Sequence, residues 1–167
     1  MPSPASGASA ATADIRTLAL VGPQGAGKTS LAEALLARTG AIGAAGSLER
    51  GTTVSDFDPL ERKMQHSLNA AVMHLEHAGT RIHLIDTPGA PDFIGQALPA
   101  LEAVETAVVV INAANWKVSG IDATAVRMMD YAAQRHLDRL LVVNKIDAAG
   151  PDLPALLADI QATFGRE

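Results

Sequence analysis

The sequence predicts an α/β domain on a mostly parallel sheet, with one antiparallel hairpin at its edge. Three observations carry this. Short apolar runs of strand length alternate with helical stretches along the chain. Two of those runs, Ala107-Val108-Val109-Val110-Ile111 and Leu140-Leu141-Val142-Val143, are apolar at every position, as strands covered on both faces are. Polar motifs follow several of the runs, on the edge where an open α/β sheet binds ligands. The 167 residues suit one domain with a sizeable core, and 48% of them are apolar. Aromatic residues are only 3%, so the core must come mainly from Ala, Val, Leu and Ile.

The elements follow in order. Residues 1–13 are rich in Ala, Ser, Pro and Gly and carry no charge, which predicts a flexible tail; they lack the basic start and apolar centre of a secretory signal and the arginines of a mitochondrial presequence, so no leader is expected. Thr17-Leu18-Ala19-Leu20-Val21 reads as a buried strand, and Ser30 to Arg38 as a helix. Ser47 to Ser67 is polar and without period, an irregular stretch of the kind that orders around a ligand or serves as a surface loop. Leu68 to His77 reads as a strand, Ala78-Gly79-Thr80 as a hairpin turn and Arg81 to Ile85 as the partner strand. Pro91 and Pro99 are expected to limit any helix between them. Ile121 to His136 reads as a helix with Val126, Met129, Ala133 and Leu137 on one face, and Leu153 to Phe164 as the last helix. His74, His77 and His83 match no metal-site spacing and are expected to face solvent.

Composition bounds the function. A formal net charge of −5 argues against gripping nucleic acid by bulk electrostatics, so no direct DNA binding is expected. No cysteine is present, which rules out disulfides and thiolate metal sites and suits a reducing, cytoplasmic setting. No apolar run approaches the length of a membrane span.

The chemistry lies in three motifs. Gly22-Pro23-Gln24-Gly25-Ala26-Gly27-Lys28-Thr29 has the G-x-x-x-x-G-K-[ST] spacing of a phosphate-binding loop, between a strand and a helix as that loop requires. Its glycines let backbone N–H groups converge on phosphate oxygens, and the helix N-terminus adds partial positive charge. Lys28 can reach the β- and γ-phosphates, and the Thr29 hydroxyl can take a Mg²⁺ position. Asp86-Thr87-Pro88-Gly89 closes a strand; there Asp86 can hold Mg²⁺ through water and the Gly89 N–H can bond the γ-phosphate. Asn144-Lys145-Ile146-Asp147 closes another. The Asp147 carboxylate can accept hydrogen bonds from both N1–H and the 2-amino group of guanine, a pair that adenine lacks. Such a site discriminates by potentially ~10⁴-fold, on the order of 5 kcal/mol.

With all three motifs in this order, the sequence resembles the G domain of translational GTPases. Gly51 to Glu61 and Asp92-Phe93 sharpen the resemblance to elongation factor G, and especially to elongation factor G-like proteins, from about Arg16 to Gly165. The resemblance implies a P-loop NTPase with a three-layer α/β/α arrangement and a GTP-binding domain over residues 14–167. It also implies Mg²⁺ with GTP or GDP as ligands, and a ribosome-linked cycle of elongation or recycling. A monomer is expected. The implied nucleotide-binding residues are Gly22 to Ser30, Asp86, Gly89, Asn144, Lys145 and Asp147. The implied Mg²⁺ residues are Thr29, Ser67 and Asp86, and the catalytic group is Lys28, Ser67 and Gly89.

The sequence departs from the family pattern at four places. Ala90 stands where the family has a water-positioning histidine. Ser67, in Met64-Gln65-His66-Ser67, falls where the first switch has its threonine; it keeps a hydroxyl, and His66 beside it could take over the positioning of water. The stretch Asn115 to Ile121 is longer than the family's turn, and Trp116 within it is expected to be exposed or half-packed. The sequence given stops at Glu167, before the fifth guanine motif, so the sheet is expected to be incomplete at its C-terminal end, with an open edge. Ala90 keeps a rival reading in view, a GTP-dependent switch that hydrolyses little. An ATP-using lineage is opposed by Asp147, and an inert fragment is the remaining alternative.

Overall fold

The computed structural model describes residues 11–55, 58–64, 66–148, 150 and 152–165. The expected tail lies outside these as far as residue 10, and so do Asp56, Phe57, Gln65 and Pro151. Thr12–Asp14 form one turn of 3-10 helix leading into the first strand.

Five strands form one sheet: β1 (Ile15–Val21), β2 (Ala71–His77), β3 (Thr80–Asp86), β4 (Thr106–Asn112) and β5 (Asp138–Asn144). Their order is β2-β3-β1-β4-β5, with only β2 antiparallel to its neighbour. The fold is therefore the expected α/β class, mostly parallel with one antiparallel edge hairpin. Ala78 (φ 48°) and Gly79 (φ 81°) close that hairpin in the left-handed conformation a two-residue turn needs.

Side-chain alternation in the central strands separates two cores. Ala19 and Val21 of β1 and Ala107, Val109 and Ile111 of β4 face one side, under α3 (Ile94–Glu102) and α5 (Ala123–Gln134). Leu20, Val108 and Val110 face the other, where Ala32 and Leu36 of α1 (Lys28–Arg38) pack with Met73, Leu75 and Leu84. The result is three layers, helices on both faces of a sheet. Ile160 and Phe164 of α6 (Leu153–Phe164) pack on the α5 side. β5, whose apolar run was expected to be covered on both faces, instead lies at the end of the sheet with Leu140 exposed and none of its residues fully buried, because it has a neighbouring strand on one side only.

The structure corrects several expectations. The stretch read as irregular contains a short helix, α2 (Pro59–Met64), which starts where Asp58 Oδ1 accepts the Leu60 N–H at 2.7 Å. Strand β2 begins at Ala71 rather than Leu68, because the N–H groups of Leu68 and Asn69 are taken by Glu61 Oε1 at 2.9 and 3.0 Å. Pro99 sits inside α3 instead of limiting it. Its ring and the Gly95 carbonyl it cannot serve are on the exposed side, where water can satisfy the carbonyl, while Ala97, Ala100 and Leu101 anchor the buried side. Helix α5 is shorter than read; of the expected face Met129 is buried and Leu137 packs on the same core, while Ala125, Met128 and Ala132 are buried in place of Val126 and Ala133. It starts where Asp122 Oδ1 accepts the Thr124 N–H at 2.7 Å and ends before His136, which has a φ of 55°. Trp116 is buried, not half-packed. It begins a single helical turn, α4 (Trp116–Ser119), joins Ala113 and Leu156, and donates its indole N–H to Asp159 Oδ2 at 2.8 Å. That bond ties the longer turn to α6.

Candidate nucleotide site

The loop after β1 is shaped by close backbone approach. Gly22 has a φ of 132°, and a Cβ there would lie 2.5 Å from the Val110 carbonyl oxygen. Gly27 (φ 90°) precedes α1, and a Cβ on it would collide with the Asn144 amide. Only glycine meets both demands, left-handed backbone and no side chain. Asn144 uses its side chain to brace this loop: Nδ2 donates to the Ala26 carbonyl at 2.9 Å while Oδ1 accepts the Lys145 N–H at 2.9 Å. One residue thus ties the phosphate loop to the N-K-I-D turn. Asn112, at the end of β4, adds a second brace from Nδ2 to the Gly25 carbonyl at 3.3 Å. The sequence reading missed it; a polar residue closing an otherwise apolar strand was the available signal.

Lys28 is buried and curls back over its own loop, donating to the carbonyls of Gly22 at 3.0 Å and Pro23 at 2.9 Å. Burial lowers its ammonium from the ordinary 10.5 to about 8, against the pull of Asp86 and then Asp122. The side chain is thus a cation held in a dry place, which an anionic ligand would stabilise. Gly89 closes over it: a Cβ there would strike Lys28 Nζ and come within 2.6 Å of the Gln24 nitrogen. Thr29 Oγ1 donates to Asp86 Oδ2 at 2.6 Å and lies 3.4 Å from Ser67 Oγ. Two hydroxyls and a carboxylate converge here, an all-oxygen donor set that suits a hard cation such as Mg²⁺. Among the described residues no group of three His, Cys, Asp or Glu could hold a metal, so phosphate oxygens would have to complete the shell.

Gln24, Gly25, Gly27, Lys28, Thr29, Ser30, Ser67, Gly89 and Lys145 line one cavity of about 210 Å³. Of the other predicted residues, Ala26 is buried in the core beneath the loop, Asp86 bonds Thr29, and Asp147 is exposed and does not line the cavity. Gly22, Pro23 and Asn144 shape the recess without lining it.

The Elongation factor Tu GTP binding domain family matches residues 13–167. The chain belongs to that family. It is 39% identical over 151 residues to an elongation factor G-like protein of Mycobacterium tuberculosis (strain CDC 1551 / Oshkosh), covering 90% of this chain and 21% of the relative. It is 37% identical over 147 residues to elongation factor G 2 of Streptomyces coelicolor, covering 88% of this chain and 21% of the relative. A crystal structure of a Thermus thermophilus protein superposes with a TM-score of 0.85 at 40% identity, covering 92% of this chain and 22% of that one. The chain spans about a fifth of the length of these relatives.

Besides Asn112, the bracing roles of two buried carboxylates escaped the sequence reading. Glu33, on the inner face of α1 and 1% exposed, accepts the N–H groups of Gly46 at 2.8 Å and Val54 at 2.5 Å. Glu61 of α2, 2% exposed, accepts from Asp58 at 3.3 Å and from Leu68 and Asn69. These carboxylates hold the path that delivers Ser67 to Thr29. The signal for Glu33 was its spacing, beside Ala32 and one turn from Leu36 on the buried stripe; for Glu61 it was only its place at the end of the Gly51 to Glu61 stretch that carries the family resemblance. Ala90 and His66 both line the recess.

Proposed function

We propose that residues 14–167 are the GTP-binding part of an elongation factor G-like translational GTPase. It binds Mg²⁺ with GTP or GDP, and hydrolyses GTP in a ribosome-linked cycle of elongation or recycling. The observation that carries this is the convergence of Lys28, Thr29, Ser67 and Gly89 on one recess, with the N-K-I-D turn braced against its rim through Asn144. Loop N–H groups and Lys28 hold the phosphates, and Gly89 faces the γ-phosphate. Thr29 and Ser67 would hold Mg²⁺ directly and Asp86 through water, and the ion would supply neutralisation of the phosphates' negative charge. Asp147 reads guanine, with the Lys145 stem against the base. Catalysis is then positioning and electrostatics, with little covalent work for the protein. The ribosome is engaged through a longer protein of which this chain is the nucleotide-binding part. The protein works as a cytoplasmic monomer.

A titration with fluorescent GDP in Mg²⁺, competed by GTP, ATP and XTP, tests the site. GTP should compete and ATP should not, and Asp147→Asn should shift preference towards XTP by ~10²-fold or more. Equal competition by ATP would refute guanine selectivity.

A second reading is favoured by Ala90, which offers no polar atom to a water at the γ-phosphate. In it the domain binds GTP and changes state but cleaves almost nothing. Tight GTP binding without phosphate release, with ribosomes present, would select it.

A further inference from the structure

If GTP is cleaved here, something other than Ala90 must hold the attacking water. Among the described residues lining the recess, His66 offers a ring nitrogen as acceptor; the other side-chain acceptors there are the Gln24 amide and the hydroxyls of Thr29, Ser30, Ser67 and Thr87, and His66 is the one that also packs on the segment carrying Ala90, through Phe93. Lys28 and Lys145 only donate in their charged form, and Thr87, 1% exposed, points its hydroxyl at the Leu20 carbonyl, to which it donates at 2.7 Å. The His66 ring is held from two sides. Its Nδ1 lies 2.9 Å from the Met64 carbonyl oxygen. A carbonyl can only accept, so Nδ1 carries the hydrogen, and Nε2 of the neutral ring is left as an acceptor. The ring also packs at 45° against Phe93, centroids 6.5 Å apart. Phe93 ends the 3-10 turn Pro91–Phe93 that follows Ala90 directly. Two segments, one carrying Ser67 and one carrying Gly89 and Ala90, thus meet through this imidazole.

We infer that His66 positions the attacking water, accepting its hydrogen bond at Nε2 in the place that Ala90 leaves empty of polar groups. This rests on the hydrolysis proposed above. The water oxygen forms a bond to the γ-phosphorus. The bond from that phosphorus to the β–γ bridging oxygen breaks, and its electron pair leaves on GDP. The proton released goes to the departing phosphate and solvent, so His66 ends as it began.

The test is single-turnover GTP cleavage in Mg²⁺, with and without ribosomes, by the longer protein that carries this chain, for wild type, His66→Ala and His66→Gln. His66→Ala should lower the rate constant by ~10²-fold with GDP affinity unchanged. His66→Gln, which keeps an acceptor, should recover part of the rate. A readout independent of turnover is the ¹⁵N-edited imidazole spectrum: Nε2 of His66 should move when GDP is replaced by a slowly hydrolysed GTP analogue, while Nδ1 stays protonated. Equal cleavage by His66→Ala, or an Nε2 signal indifferent to the γ-phosphate, overturns the inference and leaves the GTPase reading standing. GTP bound but not cleaved by the wild type removes hydrolysis and the role of His66 together. Absence of GDP binding removes the nucleotide site itself.

Discussion

The phosphate loop and the connection after α1 sit against the same recess, yet they are built in opposite ways. The loop takes its backbone path from its own residues, with Asn144 and Asn112 only bracing it. Gly22 and Gly27 supply left-handed backbone, and Lys28 bonds carbonyls only five and six residues away. The connection from Gly46 to Asn69 is shaped from outside. Glu33 reaches it at points 13 and 21 residues downstream, and Glu61 folds its later part back on α2. One region carries its geometry in its own residue types. The other borrows it from two buried carboxylates, so it can be released without dismantling the loop.

The sharpest way to break this contrast is Glu33→Ala. It strands the Gly46 and Val54 N–H groups and opens a hole beside Ala32, for a loss of about 3 kcal/mol in urea denaturation. Fluorescent GDP affinity should fall much less than affinity for a GTP analogue, because the loop survives while Ser67 loses its guide. A stability loss below about 0.5 kcal/mol, the range of ordinary surface changes, would mean that the connection holds itself. Next in size is Gly89→Ala. Its Cβ would press on Lys28 and on the Pro23–Gln24 backbone, so the loop itself must shift. We expect about 1–3 kcal/mol of lost nucleotide affinity with little change in melting temperature. Unchanged affinity would show that the recess gives way freely.

The smallest effect is on the ligand-free chain, in Lys28→Met. The folded Lys28 ammonium titrates at about 8, below the ordinary 10.5. The unfolded chain therefore binds more protons between these values, and the buried charge costs about 3 kcal/mol at pH 7. That cost fades as pH rises from about 8 to 10.5. Methionine removes it but leaves two carbonyls without their donor, at about 1 kcal/mol each. The variant should be more stable than wild type by about 1 kcal/mol at pH 7, an advantage gone by pH 10. A constant difference across that range would contradict the buried-charge account. Nucleotide binding should be lost at every pH.

The contrast also explains what the sequence reading could reach. The phosphate loop, the Asp86 and Asn144 motifs and the last helix were legible because glycine, strand-end polarity and a capping Asp152 act within a few residues. Asp152 Oδ1 accepts the Ala155 N–H at 3.2 Å, where α6 was expected to begin. The late start of β2 was not legible, since its first N–H groups were claimed by a carboxylate from another element. Pro99 misled for a similar reason: three buried neighbours outweighed a local rule. Trp116 was read as a loop residue because its partner, Asp159, lies 43 positions away.

By itself, the sequence determined an α/β domain with its polar motifs on one edge, and glycines where only glycine fits, because those features depend on residue type and short-range geometry. The tertiary structure alone decided the rest: that Asn144 braces the loop, that Glu33 and Glu61 hold the connection, and that His66 stands with Ala90 in one recess. Buried polar groups must find partners wherever the folded chain supplies them, and no local pattern records where those partners lie.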